Sequence, residues 1–373
     1  MAVVELGWTT RAGYIGDAKC TRWFPSIHCN AGPMELSFPS TLLAADAMGV
    51  GSLQPIWTLH SLEHGMSLHV EHLAHIMGKQ LQCSEDDPLM LVLPEIWHDR
   101  FDLVRSLFRV VLESGFTSAL YCCRPSVAWT LASGRASAVV LDVGHNQATT
   151  AAVLDGYALR GSVASSSLAG GAVTGRLTAM LERDQLEALE SVRHYRVPSI
   201  RQRALEDAVN DIKRMSCCVR VGHAPLPRKE EPLVLRAPDG ASVTVSAAAR
   251  TEPYEVLFSP SAPAGGDTLA DLLVSCKQSI DPEWQQQAVP HVVCGGTAQA
   301  PGFRERLIKE AQKRDSCYFR YEQDGAFHFS SAVDGAWTGA SLAAASSSFA
   351  PFWVTRADVE EEGDSVLYRK LLY

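Results

Sequence analysis

"VVLDVGHNQATTAAVLDGYAL", residues 139–159, repeats a pattern that "VVELGWTTRAGYIGD", residues 3–17, already shows at the start of the chain. In both stretches, β-branched residues run into an acid that is followed by one further residue and then a glycine. The acids and glycines are Glu5 and Gly7 in the first stretch, and Asp142 and Gly144 in the second. β-Branched runs that end at glycine predict strands joined by a tight turn. The sequence therefore predicts the same acid-x-Gly hairpin twice.

The composition limits the class of protein. The chain has 373 residues, enough for two or three domains, with 46% hydrophobic and 20% charged residues. Its net charge of −9 argues against direct binding of nucleic acid or of an anionic membrane through a basic surface. We find neither an apolar run of membrane-spanning length nor a signal-peptide pattern at the N-terminus. The ten cysteines show no CxxC or zinc-ligand spacing, so we expect a reduced, intracellular compartment and not secretion.

Strand and helix patterns alternate along the chain. Apolar or β-branched runs predict strands at 89–94, 118–123 and 291–294, and a strand pair at 232–246 across a Pro-Asp-Gly turn. Residues 44–52 are predicted to form a loop and residues 359–364, VEEEGD, a solvated acidic loop. The predicted helices are 66–82, 100–115, one that begins at Pro125, 171–183, 185–192, 199–217, one that ends near 312, and 337–349. Two such halves, each begun by the same hairpin, predict a duplicated α/β fold with two lobes and a central cleft.

The acid-x-Gly hairpin has a chemical use. Glycine lets the backbone turn tightly and bring its N–H groups close to an anion, and a carboxylate at a strand end can hold a metal ion through waters. A third glycine-rich turn, Gly295-Gly296-Thr297, precedes a predicted helix and would present N–H groups and a flat wall to a purine. A single acid-x-Gly hairpin is usually an ordinary hairpin with a glycine in its turn. Two such hairpins that face each other, together with a third glycine-rich turn, favour a nucleotide-binding cleft.

Segments along nearly the whole chain resemble the actin and actin-related protein family. They include FPSI (24–27), LEHGM (62–66), LASGRASAVVLDVG (131–144), DGYAL (155–159), LAG (168–170), DIK (211–213), APDGASVTV (237–245), VVCGGTAQAPGFRERL (292–307), WTGASLAAASSSF (337–349) and SVLYRKLLY (365–373). TTRAGYIGD and DGYAL with the following SSSLAG look more like the nuclear actin-related proteins of chromatin complexes than like conventional actin.

The resemblance implies an actin fold of four subdomains around a central cleft for ATP or ADP with Mg²⁺. Subdomain 1 would comprise 1–27, 58–132 and 326–373, and subdomain 2 would comprise 28–57. Subdomain 3 would comprise 133–169 and 262–325, and subdomain 4 would comprise 170–261. The implied nucleotide-binding residues are Glu5, Gly7, Trp8, Thr9, Arg11, Asp142, Gly144, His145, Asn146, Lys213, Arg214, Gly295, Gly296, Thr297 and Val333, with Asp142 as a metal ligand through water.

Several of these positions depart from the family pattern. The first acid is Glu5 where the family has Asp, and the bulky Trp8 stands where the family uses a small hydroxyl residue near the terminal phosphate. The other departures are His145 and Asn146 for an Asp and a Gly, Arg214 for the ribose-binding Glu, Val333 for a Lys and Ala300 for an aromatic, while Lys213 matches. The sequence therefore favours weak or absent nucleotide binding.

The residues that position the attacking water have also changed. The family uses a Gln and a His, and the matching positions hold Pro125 and Thr149. A positioned acid/base partner contributes about 10²–10⁴ in rate, so we expect no hydrolysis and hence no enzymatic activity.

The family resemblance also implies a partner groove between subdomains 1 and 3 where amphipathic helices dock. The matching residues are Leu131, Gly134, Ala136, Tyr157, Thr338, Leu342, Ala343, Ser346, Phe349 and Phe352. Leu342, Ser346 and Phe349 have spacings of four and three and are predicted to share one helix face. The alternative is that this stripe packs inside subdomain 1.

Three hypotheses about function follow. The first is a non-hydrolysing subunit of a nuclear assembly that binds a helix of a large scaffold subunit, alongside actin or a second actin-related protein. The second is an ATP-binding cytoskeletal protein that polymerises or sits in a cytoplasmic motor-adaptor complex. The third is a sugar or acetate kinase with the same duplicated fold, which is disfavoured because no catalytic acid with a substrate pocket can be named. The segment SAPAGGD (261–267), which replaces the apolar filament plug, and the changed cleft both favour the first.

Overall fold

The computed structural model describes residues 1–29, 46–49, 53–55, 57–59, 66–68, 70–222, 232–237, 240–259, 267–286 and 289–371. Within these ranges the strands, in chain order, are β1 (Ala2–Glu5), β2 (Thr9–Tyr14), β3 (Arg22–Pro25), β4 (Ile27–Cys29), β5 (Leu53–Pro55), β6 (Trp57–Leu59), β7 (Met66–Leu68), β8 (Leu89–Val92), β9 (Ala119–Cys123), β10 (Ala138–Val143), β11 (Ala148–Leu154), β12 (Tyr157–Ala158), β13 (Ala164–Ser166), β14 (Leu233–Arg236), β15 (Ser242–Val245), β16 (His291–Cys294), β17 (Phe327–Phe329) and β18 (Val354–Thr355).

Apart from a short helical segment at residues 46–48, the α-helices of the same ranges are α1 (Val70–His75), α2 (Phe101–Glu113), α3 (Pro125–Ala132), α4 (Gly170–Met180), α5 (Arg183–Ala188), α6 (Glu190–Arg193), α7 (Pro198–Ser216), α8 (Ala247–Thr251), α9 (Leu269–Gln278), α10 (Pro282–Gln286), α11 (Phe303–Arg314), α12 (Cys317–Gln323), α13 (Gly335–Ala345), α14 (Arg356–Glu362) and α15 (Ser365–Lys370). Tighter 3₁₀ turns include Gly296–Gln299 and Ser347–Phe352. Among the described residues, no helix is both long and apolar enough to cross a membrane.

The two principal sheets repeat one topology. In the first, β1 pairs antiparallel with β2 and parallel with β8, in the order β18-β9-β8-β1-β2-β3. In the second, β10 pairs antiparallel with β11 and parallel with β16, in the order β12-β11-β10-β16-β17. The central parallel strands are buried along nearly their whole length, as expected of sheets that helices cover on both faces. The predicted duplicated α/β fold with two lobes is thus confirmed.

Two helices join the lobes. α3 and α13 pack against each other and against β1, β8, β10 and β16, and form a third core between the cores of the two lobes. The approach is close because glycines face the partner helix: a Cβ at Gly335 would overlap the ring of Trp129, and one at Gly339 would overlap the carbonyl oxygen of Ala128. This shared core fixes how the two hairpins face each other.

Several predicted elements differ from the structure, among them the acidic loop at 359–364, because α14 extends to Glu362. The predicted helix 66–82 is wrong at its start, because residues 66–68 form β7, which pairs with β6, and the helix begins at Val70. Of the predicted loop 44–52, the structure describes residues 46–49, and residues 46–48 are helical. The predicted helix 337–349 ends at Ala345, where Ser346 takes an extended backbone (ψ 135°) and its hydroxyl accepts a hydrogen bond from the N–H of Ser348, which opens a 3₁₀ turn.

Two other predicted features lie wholly or largely outside the described residues. They are the plug segment 261–267, of which only Asp267 is described, and the centre of the Pro-Asp-Gly turn at 238–239.

Candidate functional site

The two acid-x-Gly hairpins open onto one cavity of about 500 Å³. All fifteen residues that the resemblance assigns to nucleotide line it, and so do Pro125 and Thr149. Ala300 is not among its lining residues. The structure thus brings these residues together around one cavity, and nucleotide binding at them stays a prediction.

Other lining residues were missed by the sequence reasoning. Arg203, Asp207 and Asn210 lie on α7, and Glu95 and Trp129 come from the first lobe. These α7 residues precede Lys213 at spacings of three or four positions, which places all of them on one face of the helix. The helical repeat is therefore a sequence signal that identifies them once Lys213 is assigned to the cleft. Nothing in the local sequence marks Glu95.

The second hairpin is held by the start of α4 and by the glycine-rich turn. The N–H groups of Gly170 and Gly171 donate to the carbonyl oxygens of Gly144 and His145, at 3.0 and 2.6 Å. The hydroxyl of Thr297 donates to the same Gly144 oxygen at 2.8 Å. N–H groups at the start of a helix can bind an anion. Here they donate to backbone carbonyl oxygens of the second hairpin instead.

The two acids of the hairpins face a guanidinium. Arg11 forms an ion pair with Glu5, and both side chains are mostly buried, with 17% and 14% of their surface exposed. Burial raises the pKa of Glu5 above its usual value, Arg11 opposes this, and the Asp142 carboxylate raises that pKa further. Burial likewise raises the pKa of Asp142 to about 6, against Arg11 and a hydrogen bond from Trp129. The charge of one arginine thus acts on both acids.

Trp8 lies between the hairpins. Its indole stacks on the imidazole of His145 with ring centroids 3.7 Å apart and an interplanar angle of 25°. The guanidinium carbon of Arg203 lies 3.8 Å from the centroid of the same indole. Burial, aided by Lys213 and Arg203, lowers the pKa of His145 to about 3, so the imidazole is neutral near pH 7 and stacks as an uncharged ring.

The remaining cations of the cavity are also engaged. Lys213 donates to the carbonyl oxygen of Gly170 (3.0 Å) and to the hydroxyl of Thr174 (2.7 Å), and burial lowers its pKa to about 8. Arg203 pairs with Asp207 at 3.0 Å, and Arg214 pairs with Asp211. A phosphate in the cavity would compete with these protein contacts for the same cations.

The positions that should orient a water carry no suitable group. Pro125 is the first residue of α3 and has no N–H to donate. Thr149 lies on β11 directly opposite Asp142, so its side chain is fixed by the strand register. A short hydroxyl there replaces an imidazole, and no proton acceptor near neutral pH is supplied at either position.

The residues of the partner groove are all at least partly exposed. Tyr157 and Leu342 are about half exposed, at 53% and 51%. The prediction of one shared helix face is wrong, because α13 ends before Ser346 and Phe349 lies in the 3₁₀ turn that follows. Phe349 and Phe352 pack with Tyr121, at centroid distances of 4.8 and 6.5 Å, and Phe349 also contacts Trp353 at 5.4 Å. We call this the aromatic cluster.

Comparison with known proteins agrees with this architecture. The family model described as Actin matches residues 1–372. This chain belongs to the actin family. Actin-like protein 9 of Bos taurus is 30% identical over 275 residues, and that of Mus musculus is 26% identical over 284 residues. Each match covers 71% of this chain and 61% of the relative, so the chain spans about three fifths of the length of these relatives.

An actin fold typically holds a nucleotide with Mg²⁺ in this cleft, but the residues of this actin-family chain do not fit that group. Arg11 forms an ion pair with Glu5, and its charge also acts on the Asp142 carboxyl, so the two acids that would hold a divalent cation through water already have a cationic partner. The rings of Trp8 and His145 stack on each other between the hairpins, where the phosphates would have to lie. Among the described residues there is also no cluster of three His, Cys, Asp or Glu side chains suited to a metal ion.

Proposed function

We propose that this chain is a non-hydrolysing actin-related protein that acts as a structural subunit of a multiprotein assembly. The assembly would be of the chromatin-remodelling or histone-acetyltransferase type, and the protein would work in the nucleus. Its working surface is the groove, which binds a helix of a large scaffold subunit, alongside actin or another actin-related protein.

The observation that carries this proposal is the exposed apolar surface beside the end of α13. Leu342 and Tyr157 leave about half of their surface open to solvent, and the aromatic cluster supplies ring area next to the 3₁₀ turn. Partly exposed aromatic and aliphatic side chains that rim a groove are what an amphipathic helix uses as anchors. Interfaces of this kind gain most of their affinity from a few such anchors.

The lost chemistry supports the same proposal. Pro125 and Thr149 stand at the expected water-positioning sites, and Trp8 is stacked on His145. Both observations support a cleft without hydrolytic activity. The second candidate is an ATP-binding cytoskeletal protein that polymerises or joins a motor-adaptor complex. Lys213, Asp142 and the Gly295–Gly296 turn, which remain in place, favour it.

One experiment separates the two candidates. The purified protein is incubated with ATP and Mg²⁺ and centrifuged, while its tagged form is purified from cells and its partners are identified. If the protein is a structural subunit, we expect no polymer in the pellet. We also expect a scaffold subunit that has a long helix to co-purify stably with it. Nucleotide-dependent pelleting without such a partner would favour the cytoskeletal candidate.

A further inference from the structure

The lobes contact each other through the cleft by side chains that come from opposite sides. Trp8 belongs to the β1–β2 turn of the first lobe, whereas His145 lies in the β10–β11 turn and Arg203 lies on α7 of the second lobe. The indole touches both, at 3.7 Å and 3.8 Å. Stacking and cation–π contacts between desolvated groups are favourable beyond the area they bury. We call these three side chains the cleft stack.

The cleft stack divides the space between the lobes. A second cavity of about 300 Å³ lies beside the first, and Gly7, Trp8, Asn146 and Arg203 line both. The outer cavity is otherwise bounded by Ile27, Leu53, Pro55 and residues of α7. The indole and the guanidinium are thus a wall across the cleft, at the level of the hairpin turns.

A second set of contacts joins the same lobes further out. One carboxylate oxygen of Asp46, which is 4% exposed, accepts from the N–H groups of Arg196 and Val197 at 2.6 and 2.7 Å. The N–H of Leu53 donates to the hydroxyl of Ser199 at 3.1 Å. These bonds hold the start of α7, the helix that also carries Arg203. α7 is therefore fastened to the first lobe at its start and again, one turn later, through Trp8.

We propose that the cleft of this protein is closed by its own side chains, with the cleft stack in the place of the phosphates and Arg11 in the place of the divalent cation. The closed state then needs no nucleotide. The partner groove below the cleft keeps one shape, whatever the nucleotide concentration. This inference is independent of whether the groove binds a helix, since it concerns only how the lobes are held together.

Hydrogen exchange of the full-length protein tests the proposal directly. The N–H groups of Arg196 and Val197 are bonded across the cleft and exchange when it opens, whereas that of Val139, bonded to Pro290 within the second sheet, reports global unfolding. We expect the cross-cleft amides to be protected in EDTA without nucleotide, and to change by less than twofold with 1 mM ATP and Mg²⁺. Protection that appears only with ATP and Mg²⁺, by tenfold or more, would overturn the proposal.

Variants of the cleft stack give a second measurement. Trp8→Ala should speed exchange of the cross-cleft amides about tenfold while leaving Val139 unchanged. The double variant with His145→Ala should exchange no faster than about the faster single variant, because the rings act as one unit. Arg203→Ala, which removes the guanidinium that lies against the Trp8 indole, should also speed exchange of the cross-cleft amides. Arg176→Ala, at an exposed position of α4, is its control and should leave that exchange unchanged.

Several outcomes would refute the cleft stack. One is that the rate increase of the cross-cleft amides in the double variant equals the product of the increases in Trp8→Ala and His145→Ala. Another is that Trp8→Ala leaves the exchange of these amides unchanged. If Trp8→Ala does not fold, Trp8→Phe, which keeps a stacking ring, is measured in its place and should retain most of the protection. If exchange refutes the cleft stack but phosphate release stays at the level of a buffer blank, the proposed loss of hydrolysis is unaffected. The two proposals can therefore fail separately.

Discussion

The indole N–H of Trp337 donates a hydrogen bond to the carbonyl oxygen of Val3, 2.9 Å away. Trp337 is fully buried on α13, and Val3 lies on the first strand of the chain. The bond therefore ties a helix from the last part of the sequence to the sheet that the first residues begin. α13 occupies the space between the lobes only because small residues let it approach α3 closely.

We expect Gly339→Ala to destabilise the protein by about 3 kcal/mol or more, because the new Cβ would overlap the Ala128 carbonyl oxygen, which is backbone and cannot move aside. Gly175→Ala is the matched control. It lies in α4 with nothing within 4 Å of the added Cβ, and it should stabilise by about 0.5–1 kcal/mol through helix propensity. Urea unfolding of both variants measures the difference. Equal effects would contradict the close packing of α3 and α13.

A buried histidine should make stability depend on pH. His291 donates from Nδ1 to the carbonyl oxygen of Val289 (2.8 Å), and its Nε2 lies 3.3 Å from the hydroxyl of Tyr318. Burial, together with the nearby Lys277 ammonium, lowers the pKa of His291 to about 4. Lys277 is itself paired with Asp315 at 2.6 Å, and the rings of Tyr318, Tyr321 and Phe327 surround the imidazole.

Because the pKa of His291 is lower in the folded state than in the unfolded chain, the unfolded state binds the proton first as pH falls. The stability contributed by neutral His291 is complete above about pH 6.5 and is lost between there and pH 4, by roughly 3 kcal/mol. His291→Gln should flatten the slope of unfolding free energy against pH in this window. The same substitution at the exposed His194 should leave the slope as it is. An unchanged slope in His291→Gln would count against the buried neutral imidazole.

ATP hydrolysis should be undetectable. Pro125 and Thr149 supply neither a donor nor a base for a water, so we expect phosphate release equal to that of a buffer blank, even at millimolar ATP with Mg²⁺. Asp142→Ala is the control for contaminating activity, since it removes the acid of the second hairpin. Steady phosphate release that disappears in Asp142→Ala would show that the cleft is an active ATPase.

ATP should stabilise the protein weakly or not at all. Its binding would break the contact of Trp8 with His145 and the ion pair of Arg11 with Glu5. At 1 mM ATP with Mg²⁺ we expect less than about 1.4 kcal/mol of stabilisation, which corresponds to a ligand concentration below about ten times Kd. Thermal melting with and without ATP measures this, with EDTA as the metal-free control. A large shift at micromolar ATP is the contrary result.

Phe352→Asp should release the proposed helical partner and leave the melting temperature nearly unchanged, because the ring is only partly buried and belongs to the residues of the partner groove. Phe319→Asp, at a ring that is 54% exposed on α12 of the second lobe, is the matched control and should keep the partner. Co-purification and melting are compared for the two variants. Retained binding in Phe352→Asp, or loss of folding in place of loss of binding, would exclude the groove as the docking site.

Much of the fold could be predicted from the sequence because its signals are local. The hairpins of residues 3–17 and 139–159 need only β-branched runs and glycine turns, and α3 begins at Pro125 as its sequence indicates. Apolar spacing alone cannot separate a short strand from the first turn of a helix, which explains the error at residues 66–68. The capping box of Thr355 and Asp358 was missed, so the acidic run at 359–364 was interpreted as a loop although α14 extends to Glu362.

The contents of the cleft were harder to predict than its location. That Trp8 would crowd the expected phosphate site follows from its size. Its stacking partner lies on the other lobe, however, and no sequence spacing relates the two residues. The pairing of Arg11 with Glu5 depends on the register of β1 and β2, in which these residues are directly opposite. The error over Ser346 and Phe349 arose because a serine hydroxyl that accepts from the backbone N–H two residues later ends a helix without glycine or proline.

The arrangement of the two sheets has a consequence for how the chain folds as it is synthesised. All strands of the second sheet lie between residues 138 and 329, whereas β18, the edge strand of the first sheet, pairs with β9 only after residue 353 has been added. During synthesis, all strands of the second lobe therefore emerge from the ribosome while the first lobe still lacks α13 and its edge strand β18. We therefore expect the first lobe, whose strands are translated first, to complete its folding last. Until α13 and β18 are available, chaperones should bind its exposed apolar strands.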